Sequence, residues 1–171
     1  RGFDVVSVRS PGDDGMWWLE NQDGKVRYLE ETLDYVAAEC GANMDQLWLV
    51  GYSGGSEFIS RRFFPAYAER MPGGGFINFG GGDAPEERAA AFSGDAKERL
   101  SLNWVTGTRD VPSNSLDGFD GIGHARNSLA YYRSAGFGHT WSEWPDDDHG
   151  SITEKFGRYV GYVLDATKVG G

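Results

Sequence analysis

Short apolar runs alternate along this chain with longer stretches in which apolar positions recur every three or four residues. Alternation over Phe3–Val8 predicts a strand that runs into the loop Ser10-Pro11-Gly12. Val26, Leu29, Leu33, Val36 and Ala37 share one face of a predicted helix over residues 26–39, which Gly41 closes. Leu47–Val50 is a short buried strand, and Ser56–Met71 reads as the helix after it. Glycines bracket another strand, Phe76–Phe79. Residues 84–99 predict a helix with Pro85 near its start and Glu86 and Glu87 in its first turn, where acids favour the helix dipole. The strand Leu102–Thr106, a helix from Ile122 to Ser134, the strand Thr140–Trp144 and a last helix over Ser151–Ala166 complete the series. Strands alternating with helices predict an α/β domain with a parallel sheet. No internal repeat and no interior linker divides it.

Composition narrows the functional classes. A chain of 171 residues suits one domain with a real core. Its 26 glycines suit many tight strand–helix turns and argue against a helical bundle. A formal net charge of −10, with no Lys/Arg cluster, argues against nucleic-acid or anionic-membrane partners. Cys40 stands alone, so neither an intramolecular disulfide nor a thiolate metal site can form. No apolar run reaches the roughly 18 residues of a membrane span. The three histidines are scattered, and no metal or other cofactor is expected.

The candidate chemistry begins at Gly51-Tyr52-Ser53-Gly54-Gly55, directly after Leu47–Val50. A serine with glycines two residues away on each side, between strand and helix, has the pattern of a nucleophile elbow. Such a turn strains the serine backbone and exposes its hydroxyl; side chains at 51 and 55 are expected to collide across it. In parallel α/β sheets, functional groups collect at the carboxyl ends of strands. Two more such ends carry suitable groups: Asp110 after Leu102–Thr106, and His149 after the strand ending at Trp144.

Each role follows from chemistry. Ser53 needs a base to take its proton during attack. His149 is the expected base, because imidazole titrates near neutrality. Asp110 would orient that ring and stabilise its protonated form. The N–H of Gly54 would supply one oxyanion donor. Other residues compete for these roles. Asp117, Asp120 and Asp146–Asp148 are alternative acids; His124 and His139 are alternative bases, both expected at the surface. The run Asp146-Asp147-Asp148 lacks a coordinating loop and is expected to be solvated. The triglycine runs at 73–75 and 80–82 lack the lysine-serine pair of a phosphate loop, and the second could line an acyl pocket. Trp17 and Trp18 are either an aromatic wall for substrate or core.

The order Ser…Asp…His, with GYSGG at 51–55, VTGTRD at 105–110 and PDDDHG at 145–150, resembles the α/β-hydrolase superfamily over nearly the whole chain. Within it, the chain resembles esterases of the polyhydroxybutyrate-depolymerase and feruloyl-esterase type. The resemblance implies an α/β-hydrolase fold, a mostly parallel sheet with helices on both faces, acting on a small-molecule or polymeric ester. It also implies that N-terminal strands and the oxyanion loop, which precede Phe3–Val8 in the family, are missing from this chain. On that reading residues 1–171 are the C-terminal part of one domain, and a second chain or N-terminal segment completes the sheet beside Leu47–Val50. A non-catalytic binding or structural module on the same fold is the alternative.

Overall fold

The computed structural model describes residues 2–85 and 91–168. Four parallel strands form one open sheet in the order β1-β2-β3-β4: β1 Leu47–Tyr52, β2 Gly74–Phe79, β3 Leu100–Val105 and β4 Thr140–Glu143. Each strand follows its predecessor in both chain and sheet. Parallel neighbours need a crossover between them. A helical run, Gly54–Arg70, links β1 to β2; α4, Gly94–Arg99, precedes β3, and α5, Gly121–Ser134, links β3 to β4. Helix α1, Gln22–Glu39, comes before the sheet, and α6, Phe156–Lys168, follows it.

Strand periodicity splits the core in two. Leu49, Phe76, Leu102 and Trp104 face one way, against α1, the 54–70 run and α5, in a cluster rich in Phe and Tyr rings. Ile77, Phe79 and Val105 face the other way, against Ile152, Tyr159 and Val163. Helices therefore cover both faces, and the near-continuous apolar strands follow from burial on both sides. Burying each such large side chain contributes about 1.5–3 kcal/mol.

Several elements differ from the sequence expectation. Phe3–Val8 forms no strand, and Val5 is 90% exposed. Its alternation is real, but a strand needs a neighbour for its N–H and C=O groups, and no described segment lies alongside it in a sheet. β1 likewise pairs only with β2 among the described residues, leaving its outer edge open with Val50 51% exposed. The helix expected over Ser56–Met71 starts earlier, at Gly54, and is not uniform. It passes from α2, Gly54–Phe58, through a π turn, Ile59–Phe63, into α3, Phe64–Tyr67, and a 3-10 turn, Ala68–Arg70. The wide turn adjoins Pro65, which has no N–H for an α-helical bond to the Arg61 carbonyl. Among the described residues of the helix expected over 84–99, only α4 is helical, capped by the Ser93 hydroxyl on the Ala96 amide (3.0 Å). Ala84 and Pro85 are not helical, and Glu86 and Glu87 lie outside the described residues. The last helix opens as a 3-10 turn, Ser151–Lys155.

Candidate active site

Three loops converge at the carboxyl end of the sheet. The first is the turn from β1 into α2. Ser53 there has φ 52° and ψ −122°, a positive φ shared among the described non-glycine residues only with Asn21. A residue with a Cβ is strained in that region, at a cost of about 1–3 kcal/mol. Two hydrogen bonds hold it there: the Ser53 amide donates to the Phe79 carbonyl (2.9 Å), and the Glu57 amide donates to the Ser53 carbonyl (3.0 Å). The flanking glycines are not equivalent. A Cβ on Gly51 would lie 2.8 Å from backbone atoms of Gly55 and Ser56, whereas one on Gly55 would meet nothing within 4 Å. The expected collision therefore restricts position 51 alone. Gly54 is restricted instead, because a Cβ there would overlap the Trp18 ring.

The second and third loops follow β3 and β4 and are laced together. The Thr108 amide donates to the Pro145 carbonyl (2.8 Å) and the Arg109 amide to the Asp147 carbonyl (2.9 Å). Of the carboxylates at 146–148, Asp146 is exposed as expected, whereas Asp147 is buried and Asp148 holds backbone amides. Asp146 pairs with Arg109 (3.0 Å), and buried Asp147 pairs with Lys155. Asp148 Oδ1 accepts from the Gly150 and Ser151 amides (3.1 and 2.9 Å). The Ser151 bonds, ahead of the smaller Gly150 and Arg109 effects, hold the Asp148 carboxyl below its ordinary range despite slight desolvation. The run is thus a scaffold for the loop that carries His149.

The structure brings Ser53, His149 and Asp110 together. His149 Nδ1 lies 2.8 Å from Asp110 Oδ2, and His149 Nε2 lies 2.9 Å from Ser53 Oγ. The buried Asp110 carboxylate accepts, so Nδ1 carries the proton and Nε2 offers its lone pair to the serine hydroxyl. Asp110 is only 2% exposed. Its carbonyl accepts from the Ile122 amide (3.0 Å), and a Cβ on Gly121 would overlap its carboxylate. The positive end of α5 therefore sits against the Asp110 charge. The N–H of Gly54, first residue of α2, has no acceptor inside its helix and remains a donor beside Ser53.

Of the alternatives, exposed His139 lies away from this relay in the loop before β4, Asp117 serves a local turn and Asp120 caps α5. His124 is a different matter. Rather than a plain surface residue, it pairs through Nδ1 with Glu57 Oε1 at 3.0 Å. Burial alone would raise the Glu57 carboxyl; the His124 hydrogen bond, the Gly82 amide, the His124 charge and the Asp83 amide outweigh it and bring it below its ordinary value. The His124 imidazole is raised, chiefly by its hydrogen bond to Glu57, against the opposing effect of burial. Glu57, Asp83 and His124 also place one ligand atom each within 4.8 Å of one another, the set with which the described residues could hold a metal ion.

Two further residues shape the relay without a sequence signal that singles them out. Tyr52 stacks on His149, with ring centroids 5.0 Å apart, and its hydroxyl donates to the His149 carbonyl (2.8 Å). Burial, with the Asp110 and Asp148 charges, raises its pKa and keeps it a donor. Phe119 stands edge-on to His149 at 5.3 Å. Trp17 packs on Phe58 at 4.9 Å, while half-exposed Trp18 lies over Gly54, so the pair divides between core and site wall. No family model, curated protein or solved structure matches this chain. Among the described residues, no helix is long and apolar enough to cross a membrane.

Proposed function

We propose that this chain is a serine hydrolase of the α/β-hydrolase type, cleaving carboxylic esters through an acyl-enzyme. The observation that carries the reading is the relay Asp110–His149–Ser53, with both contacts within 3 Å and its serine held at φ 52°. An ordinary tight turn gives no reason for a strained serine to meet an imidazole that is itself held by a buried carboxylate.

In this mechanism Ser53 Oγ attacks the ester carbonyl carbon while His149 Nε2 takes its proton. The C=O electron pair moves onto oxygen, and the Gly54 N–H stabilises the oxyanion. Collapse expels the alkoxide, which leaves as alcohol with the proton from Nε2. Water then attacks the acyl-Ser53 ester by the same path, releasing the acid and restoring the serine. Asp110 holds the tautomer throughout and stabilises the imidazolium. Family resemblance adds a further proposal, that a segment beyond the described residues lies along the open edge of β1 and supplies a second oxyanion donor.

Covalent labelling by a fluorophosphonate, lost in Ser53→Ala, tests the nucleophile. Hydrolysis of short-chain aryl esters tests the reaction. A chain that neither labels nor hydrolyses, alone or supplemented with the completing segment, supports the non-catalytic module instead.

A further inference from the structure

The relay leaves one ionisable pair beside it without a role. Glu57 sits one turn beyond Ser53, and its carboxylate is buried and fully engaged. Oε1 accepts from the Gly82 amide (2.9 Å) and from His124 Nδ1 (3.0 Å), and Oε2 accepts from the Asp83 amide (3.2 Å). These bonds fasten the loop 80–83, at the end of β2, to helix α2. The same loop touches the proposed base, since a Cβ on Gly80 would lie 3.3 Å from His149 Cε1 and Nδ1. Phe119 makes a second bridge. It stands edge-on to both imidazoles, 5.1 Å from His124 and 5.3 Å from His149. A Cβ on Gly81 would press on Phe119 Cζ (2.9 Å) and Glu57 Oε1 (3.0 Å), so ring, loop and carboxylate are in close packing.

We propose that Glu57 and His124 are a positioning pair, which locks the loop 80–83 and the Phe119 ring against His149 and so holds its Nε2 on the Ser53 hydroxyl. The proposal rests on reading Ser53, His149 and Asp110 as a catalytic relay. Asp110 bonds the His149 ring and Tyr52 stacks on it; the loop at Gly80 and the Phe119 ring pack close to it as well. The charged groups facing His124 are Glu57 from α2, Arg61 from the π turn and Asp83 from the loop. Arg61 Nη1 lies 3.5 Å from Glu57 Oε2, and both Glu57 oxygens already hold amides. That arrangement suits an ion pair better than a cation site, because an added metal would face the guanidinium and displace existing donors.

The test compares wild type with Glu57→Gln, His124→Ala and His124→Asn in the full chain. Displacing a proton-transfer group by even about 1 Å can cost on the order of 10²-fold in rate. On an aryl ester, Glu57→Gln and His124→Ala are expected to lower kcat by about 10- to 100-fold, with KM changed less than about threefold. His124→Asn, which keeps an N–H near the Nδ1 position, should recover most of the loss. The low-field proton resonance of His149 Nδ1–H gives a readout independent of turnover, and His124→Ala should shift or broaden it. If that resonance moves in a chain that hydrolyses no ester, the positioning pair stands and the hydrolase reading fails. An unchanged resonance with unchanged kcat overturns the proposal. So does a rise in KM alone, which would assign the pair to a substrate pocket. Zinc binding that requires His124 and raises turnover would also overturn it, giving the cluster to a metal.

Discussion

Asp110–His149 and Glu57–His124 use the same two functional groups at nearly the same distance, 2.8 and 3.0 Å, and Phe119 packs against both imidazoles. Their surroundings differ. His149 has a second engagement, with Nε2 on the Ser53 hydroxyl, so a proton arriving there has an acceptor chain and a route back. In the other pair it is the carboxylate that has further partners. Glu57 holds two loop amides besides His124, and the shifts of both groups favour the charged pair. On the proposed reading, one pair passes a proton and the other keeps one. An acid–imidazole contact therefore says little by itself; the partner of the second ring nitrogen decides what the contact can do.

The sharpest way to break this comparison is to remove each imidazole. His149→Ala and Ser53→Ala should lower aryl-ester kcat by on the order of 10⁴–10⁶-fold, because relay members act as a unit. His124→Ala should stay within the roughly 10- to 100-fold of a displaced base. Equal losses at the two histidines, measured under saturating ester, would erase the distinction. The carboxylates offer the next contrast. Asp110→Asn should cost on the order of 10⁴-fold through the wrong tautomer, well beyond the loss in Glu57→Gln.

Two glycines guard the pairs and predict smaller effects, read as stability. Gly121→Ala drives a methyl into the Asp110 carboxylate, and Gly81→Ala drives one against Phe119 and Glu57 at a φ of 134°. Each should destabilise by about 1–3 kcal/mol in urea unfolding, whereas Gly55→Ala, with open space around its Cβ, should not destabilise. The smallest effect concerns pH. The folded His124 is raised, so its stabilisation is complete below the ordinary imidazole value of about 6.5 and fades as pH rises through the folded value. Glu57 is lowered, so its share is present above the ordinary carboxyl value of about 4.3 and is lost as pH falls through the folded one. The Tm gap between wild type and His124→Ala should therefore be widest at mildly acidic pH and narrow toward alkaline pH. A gap that widens with pH would contradict a held proton.

Much of the fold was legible because it is written locally. The apolar periodicity placed all four observed strands, and α1 and α5 to within a few residues, since side-chain direction repeats with the backbone. The elbow was legible at Gly51, where the strand-to-helix turn leaves no room for a Cβ. The same reasoning misjudged Gly55, because the direction of its Cβ depends on the helix that follows. Phe3–Val8 has strand-like alternation, but alternation specifies a strand only where a neighbour can take up its backbone groups. Tyr52 carries no motif beyond its place in the elbow, yet it both stacks on His149 and bonds its carbonyl.

From the sequence alone come the α/β class, the succession of elements and the strand ends at Ser53, Asp110 and His149, because short-range sterics and hydrophobic period decide them. Only the tertiary structure decided which ring meets which acid. Glu57 and His124 are 67 positions apart, and Ser53 and His149 are 96. Such contacts arise where the sheet stacks its strand ends side by side. Local pattern cannot encode them, because the energy that selects them comes from packing and from burying charge between segments that meet only in the fold.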